Sequence, residues 1–111
     1  MLQNVSDNAE LSRFVHEHPI CVLYLTTPNC GVCKVLKPKL MGMLTERFPG
    51  VGFAQVDCTA APVLAADMGV FTVPTLILFT DGRESLRKAR SFGVEELAAS
   101  LKRPYRMLYQ E

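Results

Sequence analysis

Two short apolar runs constrain the fold of this 111-residue chain more than any other feature. They are ICVLYLT at 20–26 and TLILFT at 75–80, and both are rich in β-branched and aromatic residues. Such continuous runs are typical of strands that are covered on both faces, as in a sheet flanked by helices. The two runs therefore predict the buried strands of an α/β protein.

The rest of the chain alternates between strand-like and helix-like segments. Two further strands are predicted at 2–5 and 51–57, and Asp81-Gly82 is a strong hairpin signal that returns a last strand at about 84–91. Helices are predicted after the N-cap residues Ser6 and Asp7 to about Glu17, over 31–47 with Pro38 as an interior kink, over 60–67, and from Gly93 until Pro104 stops the helix.

The order β-α-β-α-β-α-β-β-α predicts a central mixed sheet, with a parallel core and an antiparallel edge, flanked by helices. The apolar stripe of the second helix is predicted at Leu36, Leu40 and Leu44, with Val32 and Met43 alongside. We expect one domain over 1–111, in which 104–111 forms a short tail that packs back on the domain.

Composition excludes several classes of function. Hydrophobic residues make up 49% of the chain and the formal net charge is +1, which gives no basis for binding nucleic acid or an acidic membrane surface. The basic residues at 83, 87, 88 and 90 are interpreted as charges that protect a solvated edge strand, with a functional patch as the alternative. No apolar stretch approaches the ~20 residues of a membrane helix, and the N-terminus lacks a signal-like region, so we expect a cytoplasmic protein. We also expect a monomer.

Cys30 and Cys33 stand where the strand at 20–26 gives way to a helix. Cys30 opens that helix, where free backbone N–H groups and the helix dipole favour a thiolate. Cys33 lies one turn later on the same face, roughly 5 Å away between α-carbons, a separation that suits a disulfide. We expect exposed Cys30 to attack a substrate disulfide and more buried Cys33 to resolve the mixed disulfide. Gly31 leaves the backbone uncovered for a partner chain.

The alternatives for the cysteines are a zinc site and a chance spacing. Zinc needs four ligands, and the chain offers no second CxxC or HxxxH to complete the set, so no metal is expected. His16 and His18 end a predicted helix and are interpreted as structural or exposed. Cys21, inside a strand, is predicted to be inert core. Cys58 follows a parallel strand and is predicted to be a packing residue, with a regulatory thiol at the active-site surface as the alternative.

The motif C-G-V-C-K with Pro38, followed by T-V-P-T-L-I-L-F at 72–79 and DG, resembles the thioredoxin family over roughly residues 2 to 102. The resemblance implies a cis peptide bond before Pro74, facing the CxxC motif, and a Val73 backbone that pairs with a substrate chain. It also implies reduction of disulfide-containing proteins through a redox-active Cys30–Cys33 disulfide, with no bound cofactor. Thioredoxin reductase, which uses NADPH, is the implied electron donor.

The chain departs from the usual W-C-G-P-C-K motif at two places. Asn29 replaces the tryptophan and Val32 replaces the proline, and both remain candidate substrate contacts. The usual buried aspartate is Tyr24 here, and the usual lysine near it aligns with Gln55. Loss of both charges together is consistent, since a lone buried charge is costly. We hypothesise that Cys33 is activated by water or by Tyr24.

Two classes of function follow from these observations. The first is a protein-disulfide reductase, with a glutathione-linked, glutaredoxin-like reductase as a variant. The second is a thioredoxin-like binding, chaperone or adaptor module that recognises chains along the Pro74 edge, with redox chemistry secondary. The intact CxxC motif favours the enzyme.

Overall fold

The predicted alternation of strands and helices is present in the computed structural model, which describes residues 2–90 and 92–109. Ser91 at the end of the predicted fifth strand and residues 110–111 of the predicted tail lie outside the described residues. The strands are β1 (Leu2–Asn4), β2 (Ile20–Thr26), β3 (Gly52–Asp57), β4 (Thr75–Thr80) and β5 (Arg83–Ala89). The helices are α1 (Asn8–Glu17), α2 (Gly31–Arg47), α3 (Pro62–Asp67) and α4 (Val94–Tyr109).

The five strands form one mixed sheet in the order β1-β3-β2-β4-β5. Strands β1, β3 and β2 are parallel, as predicted. The antiparallel part is wider than the hairpin alone indicates, because β4 is antiparallel to β2 and β5 is antiparallel to β4. The segment between β3 and β4 stays at the edge where β2 and β3 end, since Cys58 and Val73 line one groove there together with Thr27. Strand β4 therefore starts at that edge and runs back against β2, with Thr75 opposite Leu25.

The hairpin between β4 and β5 is closed by Asp81 and Gly82, with φ values of 52° and 83°. Two positive φ angles in succession define a type I′ turn, whose twist matches that of the flanking strands. The Asp-Gly dipeptide therefore marks the turn correctly.

The sheet separates two cores, and β2 contributes alternate residues to each. Ile20, Val22 and Tyr24 face α2 and α4, whereas Leu23 and Leu25 face α1 and α3. Every residue of β2 from Ile20 to Leu25 is fully buried, which explains why this run shows no alternation in the sequence. Tyr24 thus lies directly beneath α2, the helix that begins at the cysteine pair.

The last helix does not stop at Pro104, so the prediction that the helix ends there and a short tail follows is wrong, although Tyr105 and Tyr109 do pack back on the domain. Helix α4 continues to Tyr109, with Pro104 inside it. Proline removes one helical hydrogen bond at a cost of about 3 kcal/mol. That cost is offset by tertiary contacts beyond the proline, since the Tyr105 hydroxyl donates to the Pro49 carbonyl at 2.6 Å and its ring packs edge-on against Phe48.

Helix α2 continues through Pro38, and its buried residues are Cys33, Leu40, Met43 and Leu44. Val32, predicted beside the apolar stripe, instead remains 61% exposed. It lies in the first turn of the helix, where its side chain is open to solvent. None of the helices among residues 2–90 and 92–109 combines the length and the apolar character needed to cross a membrane.

Candidate active site

Cys30 and Cys33 are joined by a disulfide at the start of α2, with their α-carbons 5.2 Å apart. Cys30 is the N-cap of the helix, and its sulfur accepts a hydrogen bond from the Cys33 backbone N–H at 3.2 Å. Cys30 is half-buried, whereas only 2% of the surface of Cys33 is exposed. The outer sulfur is therefore the one that a partner can reach, and a helix N-terminus is positioned to stabilise its negative charge.

The segment that enters β4 lies at the same edge of the sheet as the cysteine pair. Thr75, the first residue of β4, pairs with Leu25 near the end of β2. The preceding Val73–Pro74 peptide bond is cis, and Pro74 is buried while Val73 is half-buried. The reversed direction of β4 thus brings the T-V-P segment to the edge from which α2 departs.

Two surface grooves flank this edge. One, of about 290 Å³, is lined by Thr27, Cys58, Phe71 and Val73 among others. Phe71 is 83% exposed, an unusual position for a large aromatic side chain.

The second groove, of about 380 Å³, begins at Gly31 and Val32 and continues along α2 toward Phe92. A Cβ atom added at Gly31 meets no other atom within 4 Å, so the space beside the first turn is open. Asn29 is also exposed. Asn29, Gly31 and Val32 are thus chain neighbours of Cys30, while Val73 and Pro74 lie at the same edge of the sheet. Phe71 and Phe92 line the two grooves and were missed by the sequence analysis.

Tyr24 occupies the position beneath Cys33. Its side chain is fully buried, and its hydroxyl donates a hydrogen bond to the Cys33 carbonyl at 3.1 Å. Burial raises the pKa of Tyr24 to about 12. A phenol that stays protonated at neutral pH and already donates to a carbonyl is unsuited to remove the Cys33 proton. The geometry thus favours water over Tyr24 in the activation of Cys33.

A cavity of about 200 Å³ lies behind Cys33, and three charged residues line its wall. They are Lys34 and Lys37, from α2, and Asp57, from the end of β3, and the sequence analysis placed none of them at the site. The Lys37 ammonium donates to the Gln55 side-chain oxygen at 3.2 Å. Gln55 occupies the position of the usual lysine, and it thus binds a different lysine, which comes from α2. The signal was present in the sequence, because Lys37 follows Cys33 by four residues and thus shares its helix face.

The other two cysteines are free thiols in different settings. Cys21 is fully buried in the sheet, and burial raises its pKa to about 12. Cys58 lines the groove beside Val73, which places it at the predicted surface, and its backbone N–H donates to the Thr26 carbonyl at 2.9 Å. Burial, followed by the nearby Asp57 carboxylate, raises the pKa of Cys58 and keeps the thiol protonated at neutral pH.

Neither histidine lies at this site. His16 is exposed, and a ring nitrogen of His18, the residue after α1, lies 2.9 Å from the Phe14 carbonyl within that helix. Within the described parts of the chain, no three potential metal-binding side chains form a group.

Both the sequence and the structure of this chain are similar to those of known proteins. A family model described as Thioredoxin matches residues 3–103. The Thioredoxin-like protein YdfQ of Bacillus subtilis is 36% identical over 97 residues, which cover 87% of this chain and 86% of that protein. The thioredoxin of Chlamydia muridarum is 42% identical over 67 residues, covering 60% and 62%. The X-ray structure of Fasciola hepatica thioredoxin superposes with a TM-score of 0.80 at 25% identity, covering 91% and 97%.

These likenesses and the Cys30–Cys33 pair at disulfide distance define a thiol–disulfide oxidoreductase. The predicted fold class and the predicted resemblance are both confirmed. The chain belongs to the thioredoxin family.

Proposed function

We propose that this oxidoreductase reduces disulfide bonds in other proteins, with Cys30 as the nucleophile and Cys33 as the resolving thiol. The observation that carries the proposal is the unequal exposure of a bonded pair at a helix N-terminus. Cys30 is half-buried and its sulfur accepts a hydrogen bond from the Cys33 N–H, whereas only 2% of Cys33 is exposed. Of the two bonded cysteines, Cys30 is the one placed to meet a substrate sulfur, and Cys33 is placed to attack Cys30 from within.

The chemistry proceeds in two exchanges. The Cys30 thiolate attacks one substrate sulfur, so a Cys30–substrate bond forms while the other substrate sulfur leaves as a thiolate and is protonated by water. Cys33 then loses its proton, attacks Cys30 and releases the second substrate sulfur. Two electrons pass to the substrate, and the Cys30–Cys33 disulfide remains to be reduced by an outside dithiol.

The surface around Cys30 supports a polypeptide substrate. Exposed Val32 and Phe71 provide apolar contact on two sides of the cysteine, and half-buried Val73 precedes the cis Pro74 bond. Gly31 and Asn29 leave the approach to Cys30 open. We assign these residues to substrate docking, with an extended chain lying along the edge of the sheet as its geometry.

The same proposal covers the electron donor, the cellular compartment and the oligomeric state. Membership of the thioredoxin family supports a thioredoxin reductase as electron donor and a protein that needs no bound cofactor. The free thiols of Cys21 and Cys58 suit a reducing compartment, so we propose that the protein acts in the cytoplasm, as a monomer.

Insulin reduction by dithiothreitol tests the proposal. The wild-type protein is expected to accelerate the precipitation of insulin chains, and Cys30→Ser is expected to abolish this effect. Cys58→Ser is the matched control, because it removes a neighbouring thiol outside the CxxC pair. Activity that survives Cys30→Ser contradicts the assigned nucleophile, and a wild-type protein without activity favours a binding module instead.

A further inference from the structure

The cavity behind Cys33 raises the question of what stabilises the negative charge on this thiol. At the helix N-terminus, the Cys33 backbone N–H donates to the Cys30 sulfur. Tyr24 donates to the Cys33 carbonyl rather than to the Cys33 sulfur. The cavity measures about 200 Å³, which leaves room for several water molecules. A proton that leaves Cys33 therefore has solvent to accept it, and the remaining thiolate is exposed to the charges in the cavity wall.

Lys37 is the cation that is best placed to act on Cys33. The two residues are four apart on α2, which puts their Cβ atoms about 5–6 Å apart on one helix face. Side chains on a helix lean toward its N-terminus, which favours a Lys37 side chain on the Cys33 side, and both residues line the cavity. The hydrogen bond from the Lys37 ammonium to Gln55 at 3.2 Å holds the charge in the cavity rather than in bulk solvent.

The other charged residues that line the cavity are less suited to stabilise a Cys33 thiolate. Lys34 also lines the cavity, but it is exposed, so solvent screens its charge. Asp57 lines the cavity from the end of β3, and hydrogen bonds from the Thr59 hydroxyl and backbone N–H hold the pKa of this carboxylate below its ordinary value. A carboxylate that resists protonation is a poor acceptor for the Cys33 proton, and its negative charge opposes a thiolate.

We propose that Lys37 supplies the positive charge that stabilises the Cys33 thiolate while this thiol resolves the mixed disulfide. The inference rests on the proposed function, in which Cys33 is the resolving thiol. In this step the Cys33 proton passes to water in the cavity, the Cys33–Cys30 bond forms and the bond from Cys30 to the substrate sulfur breaks. The substrate sulfur leaves as a thiolate and takes a proton from water, so protons and electrons balance. Lys37 acts through Cys33 and touches no substrate atom.

The test follows the release of thionitrobenzoate in a stopped-flow spectrometer. Reduced protein carrying Cys58→Ser is mixed with dithiobis(nitrobenzoate) at pH values from 5 to 9. Attack by Cys30 releases the first thionitrobenzoate, and attack by Cys33 releases the second. Lys37→Met removes the charge at similar size, Lys37→Arg keeps it, and Lys102→Met makes the same charge change at an exposed position on α4.

The expected signature is a change in the pH profile rather than a uniform loss. An opposite charge within about 4–6 Å shifts a pKa by roughly one to three units, and the open cavity screens part of this effect. We expect Lys37→Met to slow the second release by about threefold to tenfold below the midpoint of the profile. Above the midpoint its rate should equal or exceed that of the parent, because a less acidic thiol gives a more nucleophilic thiolate. Lys37→Arg and Lys102→Met should follow the parent.

Several outcomes overturn the inference. They are a Lys37→Met profile that superimposes on the parent, a uniform loss of rate at all pH values, or an equal loss in Lys37→Arg. Lys37→Gln serves as a second neutral variant should Lys37→Met fail to fold, as judged by its circular dichroism. A parent protein that releases only one thionitrobenzoate contradicts the proposed function itself, which separates the two failures.

Discussion

A buried hydrogen bond joins the sheet to the turn that carries the resolving cysteine, and its removal gives a quantitative test. Tyr24→Phe deletes the hydroxyl that donates to the Cys33 carbonyl at 3.1 Å and leaves the ring in place. The ring keeps its packing against Phe53, 6.2 Å away between centroids. The carbonyl also keeps the acceptor role that an α-helix gives it toward the N–H four residues later.

The variant therefore loses one neutral hydrogen bond, and the Cys33 carbonyl is not left without a hydrogen-bond donor. Such bonds contribute about 0.5–1.5 kcal/mol, whereas a buried group left wholly unsatisfied costs up to about 3 kcal/mol. We expect Tyr24→Phe to lower the free energy of unfolding of the oxidised protein by about 1 kcal/mol. For a domain of this size, that change corresponds to a fall in Tm of about 4 °C.

Urea unfolding of the oxidised protein measures the stability, and the release of the second thionitrobenzoate measures the reactivity of Cys33. The pH profile of that release should be unchanged, because burial holds the pKa of Tyr24 at about 12 and the phenol neither accepts nor supplies a proton below pH 9. A midpoint displaced by more than about half a pH unit would refute this reasoning and restore Tyr24 as the activating group. A loss well above 3 kcal/mol would refute the account of its packing.

Three further changes test other parts of the molecule. Tyr105→Phe removes a donor to the Pro49 carbonyl at 2.6 Å and should also cost about 1 kcal/mol, but with insulin reduction unchanged; a loss of activity would contradict this. Gly31→Ala should leave the unfolding free energy unchanged or slightly higher, since its Cβ meets open space, while kcat/KM for insulin falls several-fold; unchanged kcat/KM would exclude Gly31 from docking. Burial raises the pKa of Cys21 to about 12 from an ordinary 9.0. The contribution of this thiol to the free energy of unfolding is therefore fully present below pH 9 and is lost as pH rises toward 12. Cys21→Ala should make the fall in unfolding free energy between pH 8 and pH 10.5 shallower, and an equal slope would contradict the assignment.

Much of the fold was predictable because local signals and tertiary structure agree. The buried run at 20–26 became β2 with the same bounds, and the helix predicted over 31–47 became α2 with the same bounds. Pro104 shows where this agreement fails. Helix propensity ends the helix there, but the contacts of Tyr105 with Pro49 and Phe48 are tertiary, and sequence spacing does not reveal them.

The site was predictable to a similar extent. Cys30 and Cys33 were found from their spacing and from the strand-to-helix junction, and the structure joins them. The cavity behind Cys33 was not found, because Asp57 reaches it from another strand and only the sheet register brings Thr26 beside Asp57. The direction of β4 was also not found, since it depends on the tertiary pairing of Thr75 with Leu25.

The reduction potential of the Cys30–Cys33 pair tests the central claim most directly. Equilibration of the protein with dithiothreitol redox buffers, followed by counting of free thiols in a Cys58→Ser background, gives this value. Oxidoreductases of this kind span about −270 to −120 mV, and 30 mV corresponds to about 1.4 kcal/mol for two electrons. A disulfide reductase should lie near −270 mV. A value near −120 mV would show that the pair is an oxidant and would contradict the proposed function.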